Sequence, residues 1–134
     1  MRTKERETLF KILFSSQFNG PMEKNFRQGM YKAGGLTEDD IRYCDRVIEL
    51  TLEHSAEISA IIDKKSVAFP ESRIFPADKS ILSIAIAEIL YLDDVPDKVA
   101  VSEAANLASM YSSEKSASFI SGILSSVIAE KAGA

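Results

Sequence analysis

The sequence has 134 residues and a mass of 14.7 kDa, which is the usual size of one domain. Its formal net charge is −4 and its sequence pI is about 5.1, which argues against a protein that covers nucleic acid through bulk charge alone. Cys44 is the single cysteine, which excludes an internal disulfide, and no CxxC or Cys/His cluster predicts a zinc site. No apolar stretch approaches the ~20 residues of a membrane span. We therefore expect one cytoplasmic domain over residues 1–134, without membrane contact.

The charge is unevenly distributed along the chain. Residues 1–27 contain six basic and three acidic residues, a net charge of +3, whereas residues 28–134 contain ten basic and seventeen acidic residues, a net charge of −7. A basic end on an acidic body is typical of a nucleic-acid contact. The alternative is a solvated first turn in which glutamates alternate with basic residues, and composition alone favours that alternative.

Apolar residues at a spacing of three and four predict helices throughout the chain. The first helix, over residues 4–18, ends before an Asn-Gly-Pro turn, and the second, over residues 22–33, ends before a Gly-Gly pair. Thr37 is a candidate N-cap for the third helix, which runs to about His54 with three acidic residues in its first turn. Ser55 is a candidate cap for the fourth helix.

The second half of the chain begins with a connection that contains two prolines, in which Phe69 and Phe75 are expected to pack. The next helix is apolar on three sides, which predicts a central helix buried by its neighbours. No segment shows the period-two alternation of a strand. We therefore predict an all-α domain of about seven helices, the last three of which cover residues 78–92, 99–110 and 114–130.

The sequence offers no catalytic constellation. His54, the single histidine, is expected at a helix C-terminus, where a cation complements the helix dipole. Cys44 lies on an apolar stripe, which is typical of a small core residue. No P-loop, GxGxxG, GxSxG or HExxH motif is present. We expect no enzyme activity, no cofactor and no small-molecule substrate.

Three motifs of the C-terminal half occur in a fixed order: DVP from Asp94, SEAANLA from Ser102 and SASFISGIL from Ser116. Their order and spacing resemble the NusB family of transcription antitermination factors, whose pattern is roughly DVPxxVxINEAVELAKxF followed by SxxFVNGVL. In the N-terminal half, RETLFKILFSSQFNG is similar to the family's ARExALQALYQWELSG. The resemblance covers nearly the whole chain, and the ordered combination is far more specific than any single apolar helix.

The resemblance implies an all-α fold of two packed helical sub-bundles and a role in transcription regulation. Family members bind the single-stranded boxA element of nascent ribosomal RNA together with NusE, a small-subunit ribosomal protein. They act in the RNA polymerase antitermination complex that transcribes ribosomal RNA operons processively. The implied activity is recognition of RNA and protein, not catalysis.

The resemblance places the RNA-binding residues at the N-terminus and around the start of the last helix, because cations and aromatic rings hold single-stranded RNA and a helix N-terminus suits a phosphate. The corresponding residues are Arg2, Lys4, Arg6, Phe14, Tyr111, Lys115, Ser116, Ser118 and Phe119. Arg6 matches the arginine of the family's ARE motif and is the preferred cation. Phe14 lies on an apolar stripe, which favours the core. Packing and RNA stacking stay equally open for Tyr111, while the resemblance favours RNA for Phe119.

The resemblance also places a protein-partner surface around the fourth to sixth helices. The corresponding residues are Glu88, Tyr91, Asp93, Asp94, Lys98 and Ser102. An acidic, partly apolar surface suits a basic ribosomal protein. The alternative for Asp94 and Pro96 is a solvated loop that ends a helix. Ala87 and Ser83 replace the tyrosine and arginine common in relatives, which puts partner contacts by those two side chains in doubt.

The basic N-terminus is diluted relative to the family, because Glu5 and Glu7 interrupt it, and Ser118 replaces a basic residue. Lys115 adds positive charge where relatives often carry an acid. Each lost phosphate contact weakens RNA binding, so we expect modest RNA affinity and dependence on NusE. A second hypothesis is a NusB-fold interaction scaffold or self-associating module with weakened RNA binding. A third, the RNA-binding domain of a ribosomal RNA cytosine methyltransferase, is disfavoured because no cofactor-binding domain follows residue 134.

Overall fold

The computed structural model describes residues 2–20, 23–66 and 74–133, and these residues form seven α-helices and no strand. This confirms the all-α prediction. Where both bounds were predicted, they differ from the observed ones by at most three residues, and the predicted start at Met22 lies outside the described residues. The helices are α1 (Thr3–Asn19), α2 (Lys24–Ala33), α3 (Glu38–Glu53), α4 (Ser55–Lys65), α5 (Pro76–Tyr91), α6 (Asp97–Tyr111) and α7 (Glu114–Gly133).

Helix α5 is the central helix of the fold, as its continuous apolar character predicts. It packs against α1, α3, α4, α6 and α7, and ten of its sixteen residues are buried. Three of the buried residues are polar, namely Asp78, Ser80 and Glu88. The helical pattern does not reveal them as interior residues, and each is held by partners from other helices.

The helices form the two expected sub-bundles, α1–α3 and α4–α7, and α5 joins them by packing on α1 and α3. One hydrophobic core extends through both sub-bundles and contains residues from all seven helices. Burial of each large aliphatic side chain in it contributes about 1.5–3 kcal/mol. Among the described residues no helix is both long enough and apolar enough to cross a membrane.

Local signals in the sequence explain where several helices begin. The Thr37 hydroxyl accepts a hydrogen bond from the Asp40 N–H at 3.2 Å, and the Asp40 carboxylate accepts one from the Thr37 N–H at 2.9 Å, which is a reciprocal capping box. The bond from the Thr37 N–H holds the pKa of Asp40 below its usual value. Pro76 occupies the first turn of α5, where its fixed φ suits a helix and its missing N–H is not needed.

Two local predictions are wrong and one is confirmed. Ser55 is the first residue of α4 and not its cap, since the N-cap position belongs to His54, which also ends α3. Phe75 does not pack in the interior, because 64% of its surface is exposed; Phe69, its expected companion, lies outside the described residues. Cys44 is a core residue with no exposed surface, and burial raises the pKa of its thiol to about 12.

Candidate nucleic-acid interface

The first cation of the N-terminal segment, Arg2, is held by acidic side chains. Its guanidinium lies 3.5 Å from a Glu5 oxygen, 3.3 Å from Asp39 and 3.8 Å from Asp40. The same group lies over the Tyr43 ring, 4.5 Å from the ring centroid. These three carboxylates offset its charge, so Arg2 contributes little net positive potential to the surface.

Lys4 lies two residues after Arg2, in the first turn of α1, and is exposed. Its Nζ donates a hydrogen bond of 3.1 Å to the backbone carbonyl of Gly35, between α2 and α3. A carbonyl carries no net charge, and therefore Lys4 keeps its positive charge available to an anionic ligand.

Arg6, the preferred cation from the sequence, is buried with only 3% of its surface exposed. Its Nη2 donates a 2.7 Å hydrogen bond to Glu88, its Nε lies 3.0 Å from the same Glu88 oxygen, and its Nη1 lies 3.4 Å from Glu103. Tyr43 donates a 2.5 Å hydrogen bond to Glu88 as well. We call Arg6, Tyr43, Glu88 and Glu103 the Arg6 cluster. It joins α1, α3, α5 and α6, so the expectation that Arg6 contacts RNA phosphate is corrected: Arg6 holds helices together.

The electrostatics of the Arg6 cluster favour the charged guanidinium. Burial acts to lower the pKa of Arg6, but the hydrogen bond from Arg6 to Glu88 and the nearby negative charges outweigh burial and raise it. The pKa of Tyr43 is raised, first by burial and then by the charge of Glu88. Glu88 is only 1% exposed, so its expected contact with a protein partner is also corrected. It faces the core and binds Arg6.

Aromatic rings form a continuous series along one side of α1. The Phe10 ring stacks on Tyr111 with centroids 4.8 Å apart and on Phe14 at 5.6 Å, and Phe14 meets Phe18 edge-on at 5.1 Å. We call these four residues the aromatic ladder. Phe10 is buried, Phe14 is partly buried, and the two ends are open, since Tyr111 is 38% and Phe18 62% exposed.

The start of α7 combines buried and exposed candidate residues. Ser116 is 5% exposed, and its hydroxyl donates a 2.8 Å hydrogen bond to the Asp78 carboxylate on α5. Its backbone N–H donates to the Ser113 hydroxyl at 3.0 Å, so this N–H already has a protein partner and is not open to a phosphate. The expected role of Ser116 in RNA binding is therefore corrected to a link between α5 and α7. Lys115 and Ser118 are exposed.

A cavity of about 310 Å³ lies between the starts of α5 and α7. Among the described residues its walls are formed by Ile74, Phe75, Asp78, Ser113, Lys115, Ser116 and Phe119. Phe119 is partly buried and packs against the hydrophobic core. The cavity thus brings together three of the predicted RNA residues, Lys115, Ser116 and Phe119, and the unexpectedly exposed Phe75.

The predicted partner residues are distributed over the ends of α5 and α6. Tyr91 donates a 2.8 Å hydrogen bond to Glu57 and stacks on His54 with ring centroids 3.7 Å apart. Burial, and then the bond to Glu57, raises the pKa of Tyr91 to about 12. The remaining partner candidates are all exposed: Asp93, Asp94, Lys98 and Ser102. We call Glu57, Tyr91, Asp93 and Asp94 the acidic surface.

Sequence reasoning missed Phe10, Phe18 and Phe75 as parts of these sites. Phe10, Phe14 and Phe18 recur every four residues, so a shared helix face was visible in the sequence. The partner ring Tyr111 was not visible as a neighbour, because it lies on α6, about a hundred residues away along the chain. No group of three or more metal-binding side chains occurs among the residues that the structure describes.

Comparison with known proteins shows the family of this chain. The sequence profile of the NusB family matches residues 3–129. The transcription antitermination protein NusB of Finegoldia magna is 35% identical over 99% of this chain and 97% of its own length. NusB of T. maritima superposes with a TM-score of 0.89 at 24% identity, covering 97% of this chain and 92% of the other. A chain from the crystal structure of antitermination factors NusB and NusE in complex with dsRNA superposes with a TM-score of 0.86 at 21% identity, covering 96% of both chains. This protein belongs to the NusB family.

Proposed function

We propose that this protein is a transcription antitermination factor that binds single-stranded boxA RNA of ribosomal RNA operons together with NusE. In this role it supports processive transcription as part of the RNA polymerase antitermination complex. The curated relative of F. magna carries the name of such a factor, and one solved relative forms a complex with NusE and dsRNA. The assignment to boxA RNA rests on the resemblance of the sequence motifs and on the surface of this chain.

The aromatic ladder is the observation that carries the proposal. Single-stranded RNA stacks its bases on aromatic side chains, and each stacked base contributes ~1–3 kcal/mol. Tyr111 and Phe18 expose ring surface at the two ends of the ladder, and packing on Phe10 and Phe14 fixes their positions. A fixed, exposed ring binds a base with little loss of side-chain entropy.

The cations predicted to bind RNA indicate modest RNA affinity for the protein alone. Arg2 is offset by three carboxylates, and Arg6 is buried in its cluster. Lys4 and Lys115 remain exposed and able to meet phosphates. Binding to single strands weakens with a log–log salt slope of about −0.7 per phosphate contact, which gives about −1.4 for two contacts.

The acidic surface is the proposed docking site for NusE. Asp93 and Asp94 carry negative charge, while the stacked rings of Tyr91 and His54 add apolar area beside them. Complementary charge speeds the encounter with a basic ribosomal protein, and the rings favour a lasting contact. The affinity of the assembled complex would then come from two contacts, RNA on the aromatic ladder and NusE on the acidic surface.

Binding of a fluorescent boxA RNA, followed by anisotropy with and without NusE, tests the proposal. We expect Tyr111→Ala to weaken RNA binding at least about fivefold, because one stacked base is lost. Phe26→Ala is the matched control, since Phe26 is 39% exposed on α2 and is not part of the ladder. Equal binding by the protein and both variants would contradict the proposed site. A log–log salt slope steeper than about −3 would contradict an RNA surface whose phosphate contacts come from Lys4 and Lys115 alone.

One observation favours the second hypothesis, an interaction scaffold or self-associating module. Two of the three cations expected at the N-terminus, Arg2 and Arg6, form ion pairs with acidic side chains of this same chain. If RNA binding is absent even with NusE, while NusE binding or self-association persists, the scaffold is the better description. Light scattering coupled to gel filtration measures self-association directly.

A further inference from the structure

A second cavity, of about 230 Å³, lies where the C-terminal ends of α4, α5 and α7 meet. Among the described residues its lining is partly aliphatic and partly charged: Ile61, Leu90 and Val127 are aliphatic, and Lys64, Lys65, Glu130 and Lys131 are charged. We call this cavity the lysine pocket. It is well separated from the start of α7, because Lys131 lies about 24 Å along the helix from Lys115 at 1.5 Å per residue. None of these lining residues belongs to the aromatic ladder or to the acidic surface.

The size of the lysine pocket indicates what can enter it. Sites for small molecules usually have volumes of ~300–1,000 Å³, so this cavity is small for a nucleotide or an organic cofactor and suits one amino-acid side chain. Val127 is buried, and Ile61 and Leu90 are half-buried, so an aliphatic side chain that enters can cover apolar surface still in contact with water. No aromatic ring lines the cavity among the described residues, and it therefore offers no stacking surface to a nucleobase.

The charges of the lysine pocket favour an anionic ligand. Its lining contains three lysines and one carboxylate, that of Glu130. Lys131 is anchored, since its Nζ donates a 2.8 Å hydrogen bond to the Ile89 carbonyl and lies 3.1 Å from Asp97. Lys64 and Lys65 share Glu130, which accepts a hydrogen bond from Lys65 and lies 3.8 Å from the Nζ of Lys64. A carboxylate placed beside these two lysines would meet complementary charge.

Glu130 marks the position that a carboxylate of the ligand can take. Its side chain is 58% exposed, so it can turn into water without unfolding any part of the chain. The hydrogen bond from Lys65, and then the charges of Lys64 and Lys65, hold the pKa of Glu130 below its usual value. Glu130 also lies in the last turn of α7, where the helix dipole disfavours an acid, so the two lysines and not the helix hold this carboxylate in place.

We propose that the lysine pocket binds an acidic peptide segment of a partner protein. One aliphatic side chain of the segment enters the cavity and contacts Ile61, Leu90 and Val127, and a neighbouring carboxylate pairs with Lys64 and Lys65. Glu130 occupies the place of that carboxylate in the free protein and is displaced when the segment binds. The partner is not NusE, because a basic protein suits the acidic surface and is repelled by these lysines. The inference goes beyond the proposed function and involves neither RNA nor the aromatic ladder.

A heptapeptide with a central leucine between glutamates is the probe, titrated into the ¹⁵N-labelled protein and followed by NMR. We expect it to shift the signals of residues 61–65 and 127–131 and to bind about tenfold more tightly than the same peptide with a central alanine. Absence of these shifts, or equal affinity for both peptides, would overturn the proposal. Equal shifts with a peptide that carries lysines in place of the glutamates would overturn it as well. Equal shifts with an oligouridine RNA would do the same, because any polyanion would then suffice.

Three variants test the charged residues of the pocket. Glu130→Gln should bind the leucine peptide about threefold more tightly, because the peptide no longer has to displace a carboxylate. Lys64→Gln should weaken binding about threefold and leave the melting curve unchanged, since its side chain is 73% exposed. Lys32→Gln, at an exposed position of α2, is the control and should keep the original affinity. Equal weakening in Lys64→Gln and Lys32→Gln would refute the site, because binding would then follow net charge alone, and unchanged affinity in Glu130→Gln would refute the displacement.

Discussion

Replacing Arg6 with alanine removes the guanidinium that pairs with Glu88 and Glu103 inside the protein. Glu88 is 1% and Glu103 3% exposed, so both carboxylates would remain buried with fewer partners. Breaking a buried ion pair from one side costs about 3–5 kcal/mol, because it leaves an uncompensated charge in a poorly solvating interior. For a domain of this length that loss corresponds to a melting temperature lower by about 10–18 °C.

Urea unfolding followed by circular dichroism measures this loss, with Arg46→Ala as the control. Arg46 is an arginine of α3 whose side chain is 53% exposed and lies 3.9 Å from Glu49. An exposed pair of this kind contributes at most about 1 kcal/mol. The difference in unfolding free energy between the two variants therefore measures the effect of burial, separately from the effect of removing an arginine.

The same variant decides between two roles for Arg6. If Arg6 stabilises the fold, the Arg6→Ala variant has a lower free energy of unfolding, and its RNA binding falls only in proportion to the fraction of protein that is unfolded. If Arg6→Ala unfolds within about 1 kcal/mol of the original protein but loses RNA binding, the reasoning from burial is refuted. Glu88→Gln in the Arg6→Ala background offers a further check, since removal of the buried charge should restore part of the lost stability.

Three further outcomes follow from the surface and the helix ends. Thr37→Ala should lower the free energy of unfolding by about 1 kcal/mol in urea titrations, because it removes the cap of α3. Reversing Asp93 and Asp94 to lysine should slow NusE association about tenfold at low salt in stopped-flow measurements, and salt should reduce the difference. The pKa of Glu57 lies below its usual 4.5 because of hydrogen bonds with His54 and then with Tyr91. The ionised Glu57 therefore stabilises the fold above pH 4.5, and this stabilisation is lost as the pH falls through the lowered pKa of the folded protein. Unfolding free energies of Glu57→Gln should therefore fall less steeply below about pH 4.5 than those of the original protein.

Local signals were enough to predict the helices. The cap at Thr37 and the apolar faces of α1, α3 and α5 act within a few residues of the chain, and the structure follows them closely. The start of α5 was predicted two residues late, because Pro76 was interpreted as part of the connection and not as the first helical residue. Phe75 shows the same limitation, since its exposure depends on packing between α5 and α7 that a local pattern does not contain.

The interior polar contacts depend on residues far apart in sequence. Arg6 meets Glu88 across 82 positions and Glu103 across 97 positions. A match to the family's motif identifies Arg6 as important but does not distinguish a phosphate contact from an internal ion pair, because both require an arginine at that position. The link from Ser116 to Asp78 was unpredictable for the same reason, since the serine motif and the start of α5 are neighbours only in the folded chain.

The net charge of +3 in residues 1–27 takes on a different meaning once the partners of each cation are known. Arg2 and Arg6 bind carboxylates within the fold, and Arg27 binds Asp45 on α3 at 2.6 Å. Many of the basic side chains therefore form ion pairs that link the N-terminal segment to the acidic remainder of the chain, and few of them remain available to bind RNA phosphates. An RNA surface built mainly from rings gains affinity from stacking, which is only weakly sensitive to salt, and it needs a second binding partner to reach high affinity. This balance supports the proposed dependence of RNA binding on NusE.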